Sequence, residues 1–140
     1  MVNIIKNHNH PICKIDLSGT KLWYLDDQLH REDGPAAEYY TGDKAWYLNN
    51  QLHREDGPAI EHLSNGSKYW YFRGKRHRLD GPAVEDNEIK RWFLYGKRHR
   101  LDGPAIEDAN GYKAWFYHGE RINVSSQEEF ERLIKLKALW

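Results

Sequence analysis

The sequence has little cysteine, no surplus charge and no long apolar run, and each shortage excludes a class of protein. Its single cysteine, Cys13, rules out an internal disulfide and favours a reducing compartment. Basic and acidic residues number 21 each, so no net charge attracts nucleic acid or an anionic membrane. There is no signal peptide, lipidation motif or apolar stretch of bilayer length. These absences predict a cytoplasmic protein that neither binds nucleic acid nor inserts into a membrane.

What the sequence has in abundance is repetition. A decapeptide of the form Leu-His-Arg-Glu-Asp-Gly-Pro-Ala-Ile-Glu begins at Leu52 and occurs, with small changes, four times in all. Its histidines follow one another at intervals of 23, 24 and 22 residues, and a tryptophan stands seven residues before each. The histidines are His30, His53, His77 and His99, and the tryptophans are Trp23, Trp46, Trp70 and Trp92. A period of this length predicts a tandem-repeat protein whose units pack only against their neighbours.

Each repeat has the pattern of a β-hairpin. The proline of Gly-Pro-Ala suits the first residue of an outgoing strand, where no N–H donor is needed. Asn-Gly pairs such as Asn65-Gly66 predict type I′ turns, and the aromatic segment 68–72 suits the return strand. Ten strands in about five hairpins would form a mainly β fold, an elongated single-layer twisted antiparallel sheet. Alternation along the return strands places Trp70 and Phe72 on one side and Tyr71 on the other.

The tail breaks the period and predicts a helix. Ser126 and Glu129 form a capping-box signature, and Phe130 and Leu133 lie near one helical face. We interpret this helix as a lid over the last hairpin, with a partner-binding or dimerising helix as the alternative. The whole chain, 1–140, is then one repeat domain. It comprises a degenerate N-terminal cap repeat (11–25), hairpin repeats (26–122) and a C-terminal capping helix (126–139).

The repeated decapeptide contains His, Arg and Asp, which invites a catalytic interpretation, but we interpret it as architecture. A catalytic centre needs one constellation in one cleft, whereas this set occurs four times along a ribbon. We expect Asp56 to accept backbone N–H bonds, Gly57 to take a positive φ, and His53 and Arg54 to pack on a ring or pair with Glu61. The structural motif comprises Trp46, His53, Arg54, Asp56, Gly57, Trp70, His77, Asp80, Gly81, Trp92, His99, Asp102 and Gly103.

Metal and cofactor binding are not expected. Equivalent histidines in successive repeats should lie about 10 Å apart, since each repeat contributes two strands to the sheet. That separation is too large for two of them to share an ion through ligand bonds of about 2 Å. No Gly-rich phosphate loop accompanies the repeats. We therefore predict a non-enzymatic protein without a catalytic residue, metal or cofactor.

The loops before the third and fourth histidines are basic, unlike their counterparts in the first two full repeats. Because these repeats are neighbours, their charges should merge into one patch that binds an acidic partner protein. A small anionic ligand or nucleotide is the alternative, and a solvated edge that deters strand pairing is a third interpretation. Homo-oligomerisation through the sheet edge or the helix also stays open. The candidate binding residues are Arg73, Lys75, Arg76, Arg78, Lys97, Arg98 and Arg100.

The segment from Trp70 to His77 has an aromatic strand, a glycine turn and a histidine in that order. It resembles a variant of the MORN repeat, and the resemblance covers roughly residues 11–122. The chain departs from that pattern by placing arginine after the histidine and Asp-Gly-Pro-Ala at the corner. Similar arrays occur in small proteins of bacteriophages and large DNA viruses and in antitoxin-like bacterial proteins. The resemblance implies an interaction platform, and in a viral setting one that binds a host defence or regulatory protein in the host cytoplasm.

Overall fold

The computed structural model describes residues 9–139, so residues 1–8 and Trp140 of the predicted domain lie outside the described residues. Short antiparallel strands and tight turns make up the described chain from residue 9 to Ile122. The strands are β1 (Ile12–Ile15), β2 (Lys21–Leu25), β3 (Gln28–Leu29), β4 (Ala37–Glu38), β5 (Lys44–Ala45), β6 (Tyr47–Leu48), β7 (Gln51–Leu52), β8 (Ile60–Glu61), β9 (Lys68–Tyr69), β10 (Tyr71–Phe72), β11 (Lys75–Arg76), β12 (Val84–Glu85), β13 (Ile89–Arg91), β14 (Phe93–Leu94), β15 (Lys97–Arg98), β16 (Ile106–Asp108), β17 (Lys113–Tyr117) and β18 (Glu120–Ile122). One helix, α1 (Gln127–Lys137), follows them.

The main sheet is long, open and antiparallel. Its order is β1-β2-β4-β5-β8-β9-β12-β13-β16-β17-β18, with β3 paired to β2. Three further hairpins, β6–β7, β10–β11 and β14–β15, lie beside it as a second row. The predicted fold class, a mainly β elongated antiparallel sheet of hairpin-like strands with a C-terminal helix, is confirmed. The predicted degenerate repeat, residues 11–25, contains the hairpin β1–β2.

Tryptophan separates the two rows in the middle repeats. The return strand predicted over 68–72 is interrupted at Trp70, with β9 in the main sheet and β10 in the second row. The Trp70 N–H still donates to the Ala83 carbonyl at 2.8 Å, and its carbonyl accepts from His77 N at 3.1 Å. The prediction of ten strands was therefore wrong, because each middle repeat contributes two short hairpins rather than one.

The type I′ turns occur at the second turn of each repeat and not, as predicted, at the Asn-Gly pairs. Gly66 has a φ of 70°, but Asn65 is absent from the positive-φ residues. In the second turn both central residues are left-handed, as for Asn49 (φ 50°) and Asn50 (φ 63°). This geometry suits the two-residue connection between β6 and β7, whose strands need the right-handed twist that it provides.

The sheet has an apolar inner face and a charged outer face. Val84, which is 1% exposed, packs with Phe93 of the second row, and Ile106 packs with Phe116 in the next repeat. On the opposite face Glu85 lies between its cross-strand partners Lys68 and Lys90. The same alternation of lysine and glutamate runs the length of the main sheet: Lys21, Glu38, Lys44, Glu61, Lys68, Glu85, Lys90, Glu107 and Lys113. The predicted alternation of faces therefore separates a core from a solvated side.

Helix α1 packs on the last hairpin. Phe130 is 1% exposed and contacts Trp115 and Ile122. The Trp115 indole donates from Nε1 to Gln127 Oε1 at 2.8 Å, and Ser126 caps the helix by accepting from Glu129 N at 3.2 Å. The position of the helix matches the lid interpretation, since it covers the apolar end of the sheet. Among the described residues no helix is long and apolar enough to cross a membrane.

Candidate functional site

The four corners of the repeated decapeptide share one set of contacts, built around arginine. Arg54 lies over the Trp46 ring, with Cζ 3.9 Å from the ring centre. Its Nε donates to Asp56 Oδ1 at 2.8 Å, and its Nη1 donates to the Pro58 carbonyl at 3.1 Å and to Glu61 Oε1 at 3.0 Å. The predicted packing on a ring and pairing with Glu61 are both present. The equivalent pairs are Arg31 on Trp23, Arg78 on Trp70 and Arg100 on Trp92.

The corner aspartates are bound by these arginines. The hydrogen bond from Arg54, together with its charge, lowers the pKa of the Asp56 carboxyl below its ordinary value of 3.8. The carboxyls of Asp33, Asp80 and Asp102 have lowered pKa values for the same reason. Asp56 was expected to accept backbone N–H bonds; its main partner is the guanidinium, and a hydrogen bond from its own backbone N–H makes a smaller contribution. A carboxylate held ionised in this way orients the arginine and is a poor proton donor or base near neutral pH.

The corner glycines make room for the arginines. Gly57 was predicted to have a positive φ, which is wrong, because its φ is not in the left-handed region. A Cβ atom at this position would lie 2.9 Å from Arg54 Cζ, and one at Gly81 would lie 2.9 Å from Arg78 Cζ. The glycine is required by close approach of the guanidinium. Gly34 and Gly103 are overlaid in the same way by Arg31 and Arg100.

The repeat histidines join each repeat to the next. His53 Nδ1 accepts a hydrogen bond from the backbone N–H of Arg73, at 3.0 Å, in the following tight turn. His77 and His99 accept from Tyr95 N and His118 N at 3.0 and 3.1 Å. In the first full repeat His30 Nδ1 accepts from Asn49 N at 3.2 Å. Each donor is a non-glycine residue with positive φ, so the bond secures a backbone conformation that such residues rarely adopt.

At His77 and His99 the hydrogen bonds to Nδ1 favour the neutral form of the imidazole ring. A ring that accepts at Nδ1 is neutral and carries its proton on Nε2. Burial lowers the pKa of His77 and of His99 below the ordinary value of 6.5, and the neighbouring His118 lowers that of His99 further. This role of the histidines was not predicted from the sequence. The signal available for it was the nearly constant spacing between each histidine and the next turn.

The structure divides the predicted basic patch among three environments. Arg78 and Arg100 belong to the corners, where acidic partners neutralise them: Asp80 and Glu85 for the first, Asp102 and Glu107 for the second. Arg76 and Arg98 lie on the inner face beside aromatic rings, with Arg76 Cζ 5.5 Å and Arg98 Cζ 6.0 Å from the Phe93 ring centre. Arg73, Lys75 and Lys97 are exposed, and so is Arg98 despite its aromatic neighbours.

The lysines lie on the outer face. Lys75 is directly opposite Phe72 in β10–β11, and Lys97 is opposite Leu94 in β14–β15. Residues opposite one another in an antiparallel pair point to the same side. The stem of Lys75 also borders the space over Gly96, since its Cβ lies 3.6 Å from the point that a side chain's Cβ would occupy on that glycine. Each lysine thus projects beside the turn of the following repeat.

Grooves run across the outer face between successive corners. The first groove lies between the corners of Arg31 and Arg54, the second between those of Arg54 and Arg78, and the third between those of Arg78 and Arg100. Their volumes are about 740, 760 and 620 Å³, respectively. Each is bounded by the Arg-x-Asp corner of one repeat and by the tryptophan, histidine and arginine of the next. Phe72 and Tyr95 line the second groove, Leu94 and Leu101 the third, and Leu79 borders both. Grooves of one kind therefore recur along the ribbon, with different side chains at their rims.

Across residues 9–139, no group of three His, Cys, Asp or Glu side chains lies close enough together to hold a metal ion. No protein-family model matches the chain, and no curated protein or solved structure matches it. The fold and the site therefore define it as an open antiparallel repeat sheet with grooves and cationic turns along its outer face.

Proposed function

We propose that this chain is a non-enzymatic protein-binding module that uses the basic turns of its third and fourth full repeats to dock an acidic partner protein. Its resemblance to MORN-type arrays, which serve as interaction platforms, supports this class of function. In the viral setting implied by that resemblance, the partner is a host defence or regulatory protein and the complex forms in the host cytoplasm.

The observation that carries the proposal is a set of cations on adjacent repeats without a salt-bridge partner. Within the described part of the chain, no salt bridge involves Arg73, Lys75, Arg76, Lys97 or Arg98. The corner arginines, in contrast, all have carboxylate partners. Like charges on adjacent repeats repel one another, and an acidic surface docked there would remove that repulsion.

The recurring chemistry of the four corners weighs against an enzyme. Each candidate catalytic group already has a structural partner: the arginine a tryptophan ring, the aspartate a guanidinium and the histidine a backbone N–H. The same contacts recur at every corner, whereas catalysis would need one copy to differ from the others.

A four-residue variant tests the proposal. Replacing Lys75, Arg76, Lys97 and Arg98 with serine should abolish capture of acidic partners from host lysate and remove the salt dependence of binding. In the control variant, serine replaces four lysines of the alternating lysine–glutamate row on the main sheet, so that the same charge is removed elsewhere. These lysines are Lys21, Lys44, Lys68 and Lys113. If both variants melt like the parent and capture the same proteins, the basic turns are not the binding surface.

Arg76 and Arg98 favour the second candidate function, binding of a small anion or nucleotide. Rings on either side hold each guanidinium: Arg98 Cζ lies 5.2 Å from the Phe116 ring centre and 6.0 Å from that of Phe93. Guanidinium groups ordered before binding suit planar, bidentate recognition of phosphate. A thermal-shift screen with nucleotides and inorganic phosphate tests this candidate, and stabilisation lost on Arg76→Ser would support it.

A further inference from the structure

We propose that the outer face of the third and fourth full repeats binds an extended, polyproline-II-like segment of a partner protein that carries an acidic residue at every third position and apolar residues between. This inference rests on the proposed function and names the chemistry and the spacing of the partner. It assigns the contact to the lysines and the groove rims, and not to the arginines of the inner face.

The corners that border the grooves change from acidic to apolar along the chain: Glu32 and Glu55 border the first groove, Glu55 and Leu79 the second, and Leu79 and Leu101 the third. The residue after each His-Arg pair is Glu32 or Glu55 in the first two copies and Leu79 or Leu101 in the last two. Leu79 is 82% exposed and Leu101 is 54% exposed. Since glutamate occupies the equivalent position in the first two full repeats, the fold of the corner does not require leucine there. Two exposed leucines at equivalent corners of adjacent repeats, where the first two repeats carry glutamate, favour a ligand with apolar side chains.

The same face carries the unneutralised lysines. In the third full repeat Arg78 is bridged to Asp80 and Glu85, and Lys68 lies opposite Glu85, whereas Lys75 lies opposite Phe72. In the fourth repeat Lys97 likewise lies opposite an apolar residue, Leu94. Gln51 occupies the equivalent site in the second full repeat and is uncharged. Apolar rims and free cations thus coincide in two repeats only, which favours a ligand with acidic and apolar side chains.

The spacing of the repeats fits one backbone conformation. Two strands per repeat, each about 4.8 Å from the next, place Lys75 and Lys97 about 10 Å apart. A polyproline-II helix advances about 9.3 Å in three residues and returns every third side chain to the same side. A β-strand covers a similar distance in three residues, but its third side chain points to the opposite face. An acidic residue at every third position of a polyproline-II segment therefore meets both lysines.

A second copy of the chain fits this surface poorly. If two copies met face to face about a two-fold axis between the second and third full repeats, Leu79 would oppose Glu55 and Leu101 would oppose Glu32. Both glutamates would then be desolvated against leucine side chains, and they could pair with a cation only by reaching past these leucines to Lys75 and Lys97. We therefore assign this surface to a segment of a different protein, and a dimer is one of the outcomes that would overturn the inference.

Binding of synthetic peptides to the full chain, measured by fluorescence anisotropy, tests the inference. The probe is a labelled peptide of three glutamate-proline-leucine triplets. Peptides of the same composition with glutamate at every second or every fourth position are the spacing controls. We expect the triplet peptide to bind at least about ten-fold more tightly than either control, a difference that corresponds to about 1.4 kcal/mol.

Two pairs of variants localise the site. Leu79→Glu with Leu101→Glu introduces the residue that the first two repeats already tolerate, so the melting temperature should hold while affinity falls at least about ten-fold. Lys75→Ser with Lys97→Ser should weaken binding about ten-fold at low salt. The matched control, Lys44→Ser with Lys113→Ser, removes the same charge from the lysine–glutamate row of the main sheet and should leave peptide affinity within about two-fold.

Four outcomes would overturn the inference: equal affinity for all spacings, unchanged affinity of the leucine variant, equal competition by inorganic phosphate, or a dimer in sedimentation velocity that the leucine variant dissolves. If peptides fail to bind while the four-residue serine variant still loses its captured partners, this inference is wrong and the proposed function stands. If the peptides fail to bind and the four-residue serine variant still captures the same partners, both this inference and the proposed function are wrong.

Discussion

Gly57→Ala should destabilise the protein, and only while Arg54 is present. A Cβ at position 57 would lie 2.9 Å from Arg54 Cζ, so the guanidinium must shift from its position 3.9 Å from the Trp46 ring centre. The stacking lost is worth about 0.5–2 kcal/mol and the strained bonds to Pro58 and Glu61 about 1 kcal/mol more. Alanine also lowers the conformational entropy of the unfolded chain, which stabilises the protein by about 0.4–1 kcal/mol. The net cost should be about 1–2 kcal/mol.

The same substitution in an Arg54→Ala background should be neutral or stabilising by up to about 1 kcal/mol, since nothing then occupies the space above the glycine. Urea unfolding followed by tryptophan fluorescence gives the four free energies of this double-mutant cycle. An equal penalty for Gly57→Ala in both backgrounds would refute the explanation of the corner glycine. It would show that the backbone, and not the arginine, excludes a side chain there.

Acidification, a lid residue and a central tryptophan provide the remaining predictions. Burial lowers the pKa of His77 and His99, so their contribution to stability is complete above pH of about 6.5 and is lost as pH falls through the lowered folded value. The urea midpoint should therefore drop between pH of about 7.5 and 5.5, and drop less in a His77→Gln variant; equal drops would contradict this. Phe130→Ala should cost about 3–5 kcal/mol in the same assay, because Phe130 is 1% exposed, whereas Leu139→Ala, at an 82% exposed position, should cost less than about 0.5 kcal/mol. Trp70→Ala removes the platform of a corner arginine and should cost about 3 kcal/mol, and a melt like that of the parent would contradict its structural role.

The repeat, its hairpins and the final helix could be predicted because they depend on short-range patterns. The interval between histidines, the alternation of faces and the capping of α1 by Ser126 are all visible within a window of about two repeats. The break of each return strand at tryptophan was not visible. Residues 68–72 have strand propensity throughout, and the break at Trp70 comes from packing of the second row against the inner face.

The roles of Gly57 and His53 could not be deduced from local chemistry. Asp-Gly most often marks a left-handed turn, whereas here the glycine admits a guanidinium from three residues earlier. The histidine contact spans 20 residues and depends on how successive repeats stack. The division of the basic patch between two faces, in contrast, could have been predicted from the alternation of side chains along a strand. Lys75 and Arg76 are adjacent in a strand, so they must point to opposite faces.

The central claim is that the corners build the ribbon while the residues that vary between repeats determine what it binds. Gln51→Lys with Glu55→Leu tests it most directly, because it gives the second full repeat the outward side chains of the third. Gln51 already lies over Gly74 as Lys75 lies over Gly96, so the melting temperature should not change. Affinity for a glutamate-proline-leucine peptide lengthened by one triplet should rise about five- to ten-fold, as expected for one added ion pair and apolar contact. Unchanged affinity at unchanged stability would contradict the claim.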